Sequence, residues 1–176
     1  MGRVVVALSR FIAIDVETAS RARASVCAIG AARFEGGIEA ASFRSLVRAS
    51  GPIRFGNIHG IAAADLASAP RWDTVWPQLV SWSCGIREFV AYRAEFDRGA
   101  ILAMCAKHNV KLPPLRFTCA AKIMRARFPG ERSLREALET LEVPYPGRPH
   151  DPLADARAAA AIVVACSKPR SPRDAR

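Results

Sequence analysis

The chain has 176 residues, and 51% of them are hydrophobic, which is enough for one large domain with a sizeable core. Lysine and arginine number 26 against 16 aspartate and glutamate, so the formal net charge is +10. This surplus indicates a polyanionic partner, most commonly nucleic acid, although a basic surface that serves only solubility has the same composition. The five cysteines form no C-x-x-C pair, so neither a zinc knuckle nor a redox motif is indicated. Most of them lie in apolar runs, which favours a reducing, cytoplasmic setting. No apolar stretch is long enough to predict a membrane span or a signal sequence.

Apolar and β-branched runs predict five strands, over residues 11–17, 26–34, 42–47, 88–92 and 115–120. Helical periodicity and start signals predict five helices, over residues 59–68, 73–82, 95–108, 133–141 and 151–166. A hairpin of strands followed by alternating strands and helices predicts an α/β domain, a mixed five-stranded sheet flanked by helices. We expect this domain to cover residues 1–167, followed by a disordered basic tail at 168–176. The tryptophans are expected to pack in the core.

Two carboxylates stand at the end of the first predicted strand. Asp15 and Glu17 are two residues apart, so their side chains point to the same face of the sheet. Paired carboxylates at the end of a buried strand repel each other, and a cation such as Mg²⁺ or Mn²⁺ resolves the repulsion. A lone D-x-E pair is more often a strand end that reaches solvent, so this pair by itself does not identify a metal site.

Three further polar residues lie at predicted helix starts. Asp97 follows the fourth strand and would lie near Asp15 if strands one and four are neighbours; otherwise it is only a helix-dipole partner. With Asp151 as N-cap, His150 and Asp155 occupy the two positions that meet where a helix begins. A histidine held against a carboxylate is typical of a base beside a metal ligand, and a loop histidine beside a solvated aspartate is the alternative.

Five segments, in this order and spacing, resemble a known family. Residues 11–18 resemble a strand that ends in D-x-E-T, residues 89–97 resemble a second motif that ends in F-D, and residues 150–156 match H-x-x-x-x-D-A. An H-G-I segment at 59–61 and an s-L-x-x-L helix at 132–138 complete the set. Together they resemble the DEDDh, or DnaQ-like, 3′→5′ exonucleases, a family that includes the proofreading epsilon subunit of bacterial DNA polymerase III.

The resemblance implies a ribonuclease-H-like fold and phosphodiester hydrolysis with two divalent cations, Mg²⁺ or Mn²⁺. By resemblance, Asp15 bridges the two cations, while Glu17 and Asp155 complete the first site. Asp97 holds the second cation, partly through water, and His150 deprotonates the attacking water. The product is then a 5′-mononucleotide released from the 3′ end of single-stranded DNA or RNA, with proofreading or repair as the implied role.

The resemblance also places four residues around the terminal nucleotide: Thr18, Ala19, His59 and Phe96. A backbone amide near Ala19 would meet the 3′-hydroxyl, and the ring of Phe96 would offer a stacking face. For Phe96, an ordinary core position on its helix is the alternative.

Two departures from the family pattern affect substrate contacts. The usual His-Asn of the second motif is Tyr92-Arg93 here, and the usual Thr-Gly after D-x-E-T is Ala19-Ser20. Neither replaces a predicted metal ligand or the predicted base. Arg93 follows the strand end, where it is placed to add a phosphate contact.

Three alternatives accompany this prediction. An RNA-trimming exoribonuclease has the same five residues, because the contact to a 2′-hydroxyl is not visible in sequence. A nucleic-acid-binding scaffold without activity would lack at least one of the five, and all five are present. A polymerase partner is known for the epsilon subunit, but the tail at 168–176 is shorter than the extension that binds the polymerase, so a free-standing exonuclease is expected.

Overall fold

The computed structural model describes residues 8–169. The strands within these residues are β1 (Arg10–Thr18), β2 (Val26–Glu35), β3 (Ile38–Leu46), β4 (Glu88–Ala91) and β5 (Arg116–Cys119). The helices are α1 (Gly56–His59), α2 (Ala63–Leu66), α3 (Trp72–Trp82), α4 (Glu95–Lys107), α5 (Ala120–Arg127), α6 (Leu134–Thr140) and α7 (Pro152–Ser167).

The five strands form one mixed sheet in the order β3-β2-β1-β4-β5. β2 is antiparallel to both β1 and β3, whereas β4 is parallel to both β1 and β5. The predicted hairpin turn between β2 and β3 is confirmed at Gly36 and Gly37, whose φ angles of 59° and 84° suit glycine. The expectation that strands one and four are neighbours is also confirmed, and it determines where their carboxyl ends meet.

Helices cover both faces of the sheet, and the alternation of side chains along β1 explains which face each helix covers. Ile12 and Ile14 pack in a cluster with residues of α3 and α4, while Phe11 and Ala13 pack in a second cluster with α5, α6 and α7. The tryptophans pack in the first cluster, as predicted, with Trp82 only partly buried.

The structure corrects three parts of the secondary-structure prediction. The helix expected over 59–68 is two short helices, because Gly60 adopts a φ of 76° and ends α1. β3 begins at Ile38 rather than residue 42, since its first half lies at the surface and carries little apolar signal. α5 was missed: the predicted fifth strand ends at Cys119, and the alanines that follow begin a helix.

The start of α7 rests directly on the sheet at Gly30 of β2. A methyl group on Gly30 would lie 2.2 Å from the backbone nitrogen of Leu153 and 2.3 Å from the carbonyl carbon of Pro152, well inside contact distance. Gly30 is the register partner of Asp15 on β1. The bare backbone of Gly30 therefore allows the first turn of α7 to lie beside the carboxylates of β1.

The remaining predictions on organisation concern the helix caps, the tail and the membrane. Asp151 caps α7 with bonds from the amides of Leu153 and Ala154, and Ser133 forms the predicted capping box with Glu136. Within residues 8–169, no helix combines the length and hydropathy that a membrane crossing requires. Of the tail predicted to be disordered, residues 170–176 lie outside the described residues.

Candidate active site

Four carboxylates from three elements approach the same edge of the sheet. Asp15 and Glu17 project from the end of β1, Asp97 comes from the first turn of α4, and Asp155 comes from the first turn of α7. β1 and β4 are parallel neighbours, and the carboxyl ends of such strands are where ligands bind in α/β sheets. The four predicted metal ligands therefore lie together.

Asp97 is held by the backbone of β1. The residue is 1% exposed, and its Oδ1 accepts a hydrogen bond of 3.1 Å from the amide of Val16. A residue that served only the dipole of its own helix would face solvent, so this alternative is wrong for Asp97. The hydrogen bond places its carboxylate beside Asp15.

Asp155 is oriented by two donors. The hydroxyl of Tyr145 donates to its Oδ1 at 2.6 Å, and the amide of His150 donates to its Oδ2 at 3.3 Å. The expected contact between His150 and Asp155 is thus confirmed, through the backbone of His150. Tyr145 is a residue that sequence reasoning missed, because a tyrosine between two prolines carries no signal for a partner ten residues away. Burial and the bond to Asp155 raise the pKa of this phenol well above its ordinary value, so it remains a donor.

His150 faces the carboxylates with an accessible ring. Its side chain is 54% exposed, and its Nδ1 lies 3.8 Å from Oε1 of Glu17. Possible ligand atoms of Glu17, His150 and Asp155 all lie within 4.8 Å of one another. The backbone of His150 has a φ of 62°, a left-handed conformation that a non-glycine residue rarely adopts and that is common at functional sites.

The carboxylates resist ionisation because they are buried and close to one another. Burial, and then the charges of Asp97, Asp155 and Glu17, raise the pKa of Asp15 well above its usual range. Burial followed by Asp155 and Asp151 raises the pKa of Glu17 to about 7. Burial raises the pKa of Asp97 to about 8, against the opposing effect of the Val16 amide. A group of oxygen donors that repel one another in this way fits hard divalent cations such as Mg²⁺ and Mn²⁺.

A comparison with known protein families identifies the chain. The model of the RNase T family, described as exonuclease, matches residues 12–163. The chain belongs to this exonuclease family. A search of the curated proteins found no match for the exonuclease.

Solved structures share its fold. Exonuclease X in complex with 5′-overhanging duplex DNA is 24% identical, with 88% of this chain and 90% of that chain covered and a TM-score of 0.70. The nuclease domain of 3′hExo, described as a DEDDh family member bound to rAMP, is 18% identical, with 90% of this chain and 92% of that chain covered and a TM-score of 0.77. E. coli exonuclease I in complex with an oligonucleotide is 14% identical, with 88% of this chain but 39% of that chain covered and a TM-score of 0.70.

These likenesses confirm the ribonuclease-H-like fold expected from the sequence. The family match confirms that the chain is a nuclease, which the sequence motifs indicated. The more specific likeness to the epsilon subunit stays a prediction.

Two pockets of the exonuclease flank the carboxylates. The first, of about 260 Å³, is here named the β2–β3 pocket, and its lining includes Ala28, Leu46, His59, Ile61, Arg148 and His150. The second, of about 360 Å³, is named the β4–β5 pocket, and its lining includes Arg93, Phe96, Cys119, Lys122 and Arg125. Because β1 lies between β2 and β4 in the sheet, the carboxylates of β1 stand between the two pockets.

The four predicted substrate residues do not share one pocket. His59 lines the β2–β3 pocket and Phe96 lines the β4–β5 pocket. Phe96 is 50% exposed, so the core alternative for this residue is wrong. Thr18 and Ala19 are buried. The amide of Ala19 itself donates to the carbonyl of Ser25 at 2.8 Å, and the contact between a backbone amide near Ala19 and a 3′-hydroxyl stays a prediction.

His59 is tied to the protein through both ring nitrogens. Its Nδ1 accepts a hydrogen bond of 3.1 Å from the amide of Ile61, which leaves the proton of the neutral ring on Nε2. That nitrogen lies 3.8 Å from Sγ of Cys27, whose thiol donates to the carbonyl of Glu17 at 3.4 Å. Burial lowers the pKa of His59, which favours this neutral form. Cys27 is a second residue that sequence reasoning missed, because a cysteine in an apolar strand reads as core.

The raised carboxylate pKa values predict how pH and metal affect stability. Since folding raises these values, the metal-free fold is favoured at low pH and loses stability as the pH rises through about 7 to 8. We expect the Tm of the metal-free protein to be roughly 5 °C lower at about pH 8.5 than at about pH 5.5. Mg²⁺ or Mn²⁺ should raise the Tm more at the higher pH, where protons compete less for the carboxylates.

Calorimetry with and without metal at both pH values measures these differences. Asp97→Asn is the matched variant, because it replaces one of these carboxylates by a neutral group of the same size. It should reduce the pH dependence of the Tm of the metal-free protein. A metal-induced rise in Tm that is larger at the lower pH would contradict the prediction.

Proposed function

We propose that this chain is a 3′→5′ exonuclease that uses two divalent cations to release 5′-mononucleotides from the 3′ end of single-stranded DNA or RNA. The observation that carries the proposal is the meeting of four buried or half-buried carboxylates from β1, α4 and α7 beside one accessible histidine. Their raised pKa values support a cation as the missing partner, and the membership of the exonuclease family supports the reaction.

The four carboxylates divide naturally between two cations. Asp15 feels the charges of Asp97, Asp155 and Glu17, so its carboxylate is the one that would be shared. Glu17 and Asp155 would complete one site beside His150, and Asp97 would serve the other. When bound, the two cations supply positive charge that stabilises the attacking and leaving oxygens of an in-line displacement at phosphorus.

His150 would take the proton from the attacking water. Its half-exposed ring can be reached by water, and its Nδ1 lies 3.8 Å from Glu17. The hydrogen bond that the backbone amide of His150 donates to Asp155 would orient the base and a metal ligand together. The proton leaves the water as its oxygen bonds to phosphorus, and the bond to the 3′-oxygen of the preceding nucleotide breaks.

The substrate class is supported by charge and by the pocket beside the carboxylates. A net charge of +10 favours a polyanion, and the β2–β3 pocket, of about 260 Å³, offers a concave site that His150 lines. Among the proteins of similar fold, one structure contains duplex DNA and another contains rAMP. The proposal therefore includes both DNA and RNA.

Digestion of matched single-stranded DNA and RNA oligonucleotides tests the proposal. With Mg²⁺ or Mn²⁺, a 5′-labelled strand should shorten one nucleotide at a time, and 5′-mononucleotides should accumulate from the first time point. A strand that ends in a 3′-phosphate should be cut much more slowly, because the site for the terminal nucleotide is expected to accept a free 3′-hydroxyl. The ratio of the DNA and RNA rates then identifies the preferred sugar.

A circular single strand of the same composition is the control for internal cleavage. It should stay intact while the linear strand is consumed. Linear products from the circle, or release of nucleotides from the 5′ end, would contradict the proposed function.

A further inference from the structure

The segment between β4 and α4 has a conformation that its sequence does not favour. Tyr92, Arg93 and Ala94 connect the end of β4 to the helix that carries Asp97. The hydroxyl of Tyr92 donates to the carbonyl of Arg132 at 2.6 Å, so the segment is fastened to the chain ahead of α6. Arg93 has a φ of 60°, a left-handed conformation that a residue with a long side chain rarely adopts.

Arg93 supplies the unbalanced positive charge of the β4–β5 pocket. The pocket is lined by three cations and two anions. Lys122 pairs with Glu95, and Arg125 pairs with Glu131. In the described part of the chain, the side chain of Arg93 forms no hydrogen bond and no ion pair, so its guanidinium is available to a ligand.

The two pockets differ in charge as well as in place. In the β2–β3 pocket, two arginines are balanced by Asp65 and Asp151, and Arg44 is paired with Asp151 at 2.7 Å. A terminal nucleoside with a free 3′-hydroxyl brings no further phosphate and suits a pocket without surplus charge. The rest of the strand brings a phosphate with every nucleotide, and it suits the pocket that has a free cation.

The distance across the sheet agrees with this division. β4 is hydrogen-bonded to β1, at a strand spacing of about 4.8 Å, and Phe96 of the β4–β5 pocket immediately precedes Asp97. A strand whose last phosphodiester lies at the carboxylates can therefore continue into the neighbouring β4–β5 pocket.

We propose that the β4–β5 pocket binds the nucleotides on the 5′ side of the scissile bond and that Arg93 contacts one of their phosphates. This inference rests on the proposed function and deepens it. It makes Arg93 a residue that determines affinity for the polynucleotide chain, in a position where the family pattern has asparagine.

Arg93→Asn tests the inference with little risk to the fold, because asparagine tolerates a positive φ better than arginine does. KM and kcat are measured on single-stranded DNA. A second set of substrates carries one uncharged methylphosphonate, at either the first or the second phosphate on the 5′ side of the scissile bond. Arg116→Asn is the matched control, since Arg116 is exposed on β5 but lies at its amino end, away from the pocket.

Arg93→Asn should raise KM about 10-fold on unmodified DNA, with kcat changed less than about 2-fold. One of the two methylphosphonates should raise the KM of the wild type by a similar factor, and on that substrate the variant should lose no further affinity, because the contact is already absent. Arg116→Asn should change neither constant more than about 2-fold.

An unchanged KM for Arg93→Asn, or a full additional loss on both methylphosphonate substrates, would overturn the inference. Failure of the proposed function has a different signature, because the wild type would then release no nucleotide from unmodified DNA.

Discussion

Asp15→Asn is expected to abolish steady-state cleavage, with a loss of at least about 10³-fold, while the fold is retained. Asp15 is the carboxylate whose pKa is raised by all three of the others, so its removal affects both proposed cations. Asparagine keeps the size of the side chain but loses the charge that a cation requires. The protein should therefore bind divalent metal more weakly and still unfold cooperatively.

The same substitution should stabilise the metal-free protein. A buried group surrounded by like charges opposes folding, and neutralising it removes that repulsion. A gain of about 1 kcal/mol corresponds to a rise in Tm of about 2–4 °C for a chain of this size. An inactive variant with an equal or higher Tm separates a catalytic role from a structural one.

Asp73→Asn is the matched control, because Asp73 lies at the surface in the first turn of α3 and pairs with Arg71. It should keep full activity and metal affinity. Retained cleavage in purified Asp15→Asn, free of host nucleases, would exclude the two-cation proposal.

His150→Ala is expected to lower kcat by about 10²–10⁴-fold while metal affinity changes little, because a positioned general base contributes a factor of this size. Asp155→Ala should weaken metal binding as well as activity, since its oxygens are proposed ligands. Both residues belong to the start of α7, so the two variants disturb the same turn. Calorimetric titration with Mn²⁺ compares the two affinities directly.

Added imidazole provides a further readout for the base. Because the side chain of His150 is 54% exposed, its removal leaves a space that is open to solvent. Imidazole should therefore restore part of the activity of His150→Ala, and it should not restore the activity of Asp155→Ala. Since Nδ1 of His150 lies within reach of a cation held by Glu17 and Asp155, ligation is the competing role. Equal loss of metal affinity in the two variants would establish ligation and remove the assignment as base.

The sequence was sufficient to predict the position of a site residue where that position depends on neighbouring residues alone. Alternation along a strand placed Asp15 and Glu17 on one face, and the geometry of a helix start brought His150 to Asp155. The pairing of β1 with β4, which brings Asp97 to the same edge, was only an assumption in the sequence and required the structure.

The sequence was insufficient where a contact depends on the tertiary arrangement. Tyr145 donates to Asp155 across a proline-rich loop that has no repeating pattern. The hydrogen bond between the side chains of Cys27 and His59 joins residues 32 positions apart. The placement of His59 and Phe96 in different pockets follows from the order of the strands. α5 was missed because a short strand runs directly into it, without the turn residues that normally announce a boundary.

Gly30 bears on how members of this family can be judged active or inactive from sequence. The main chain of α7 occupies the space that any side chain at position 30 would need, and backbone atoms cannot turn aside as a flexible side chain can. A larger residue would therefore displace the helix that carries Asp155 relative to the strand that carries Asp15. A homologue with a larger residue at this position would keep all four carboxylates and the histidine, but they would no longer lie together. A judgement of activity from sequence should therefore check position 30 as well as the five reactive residues.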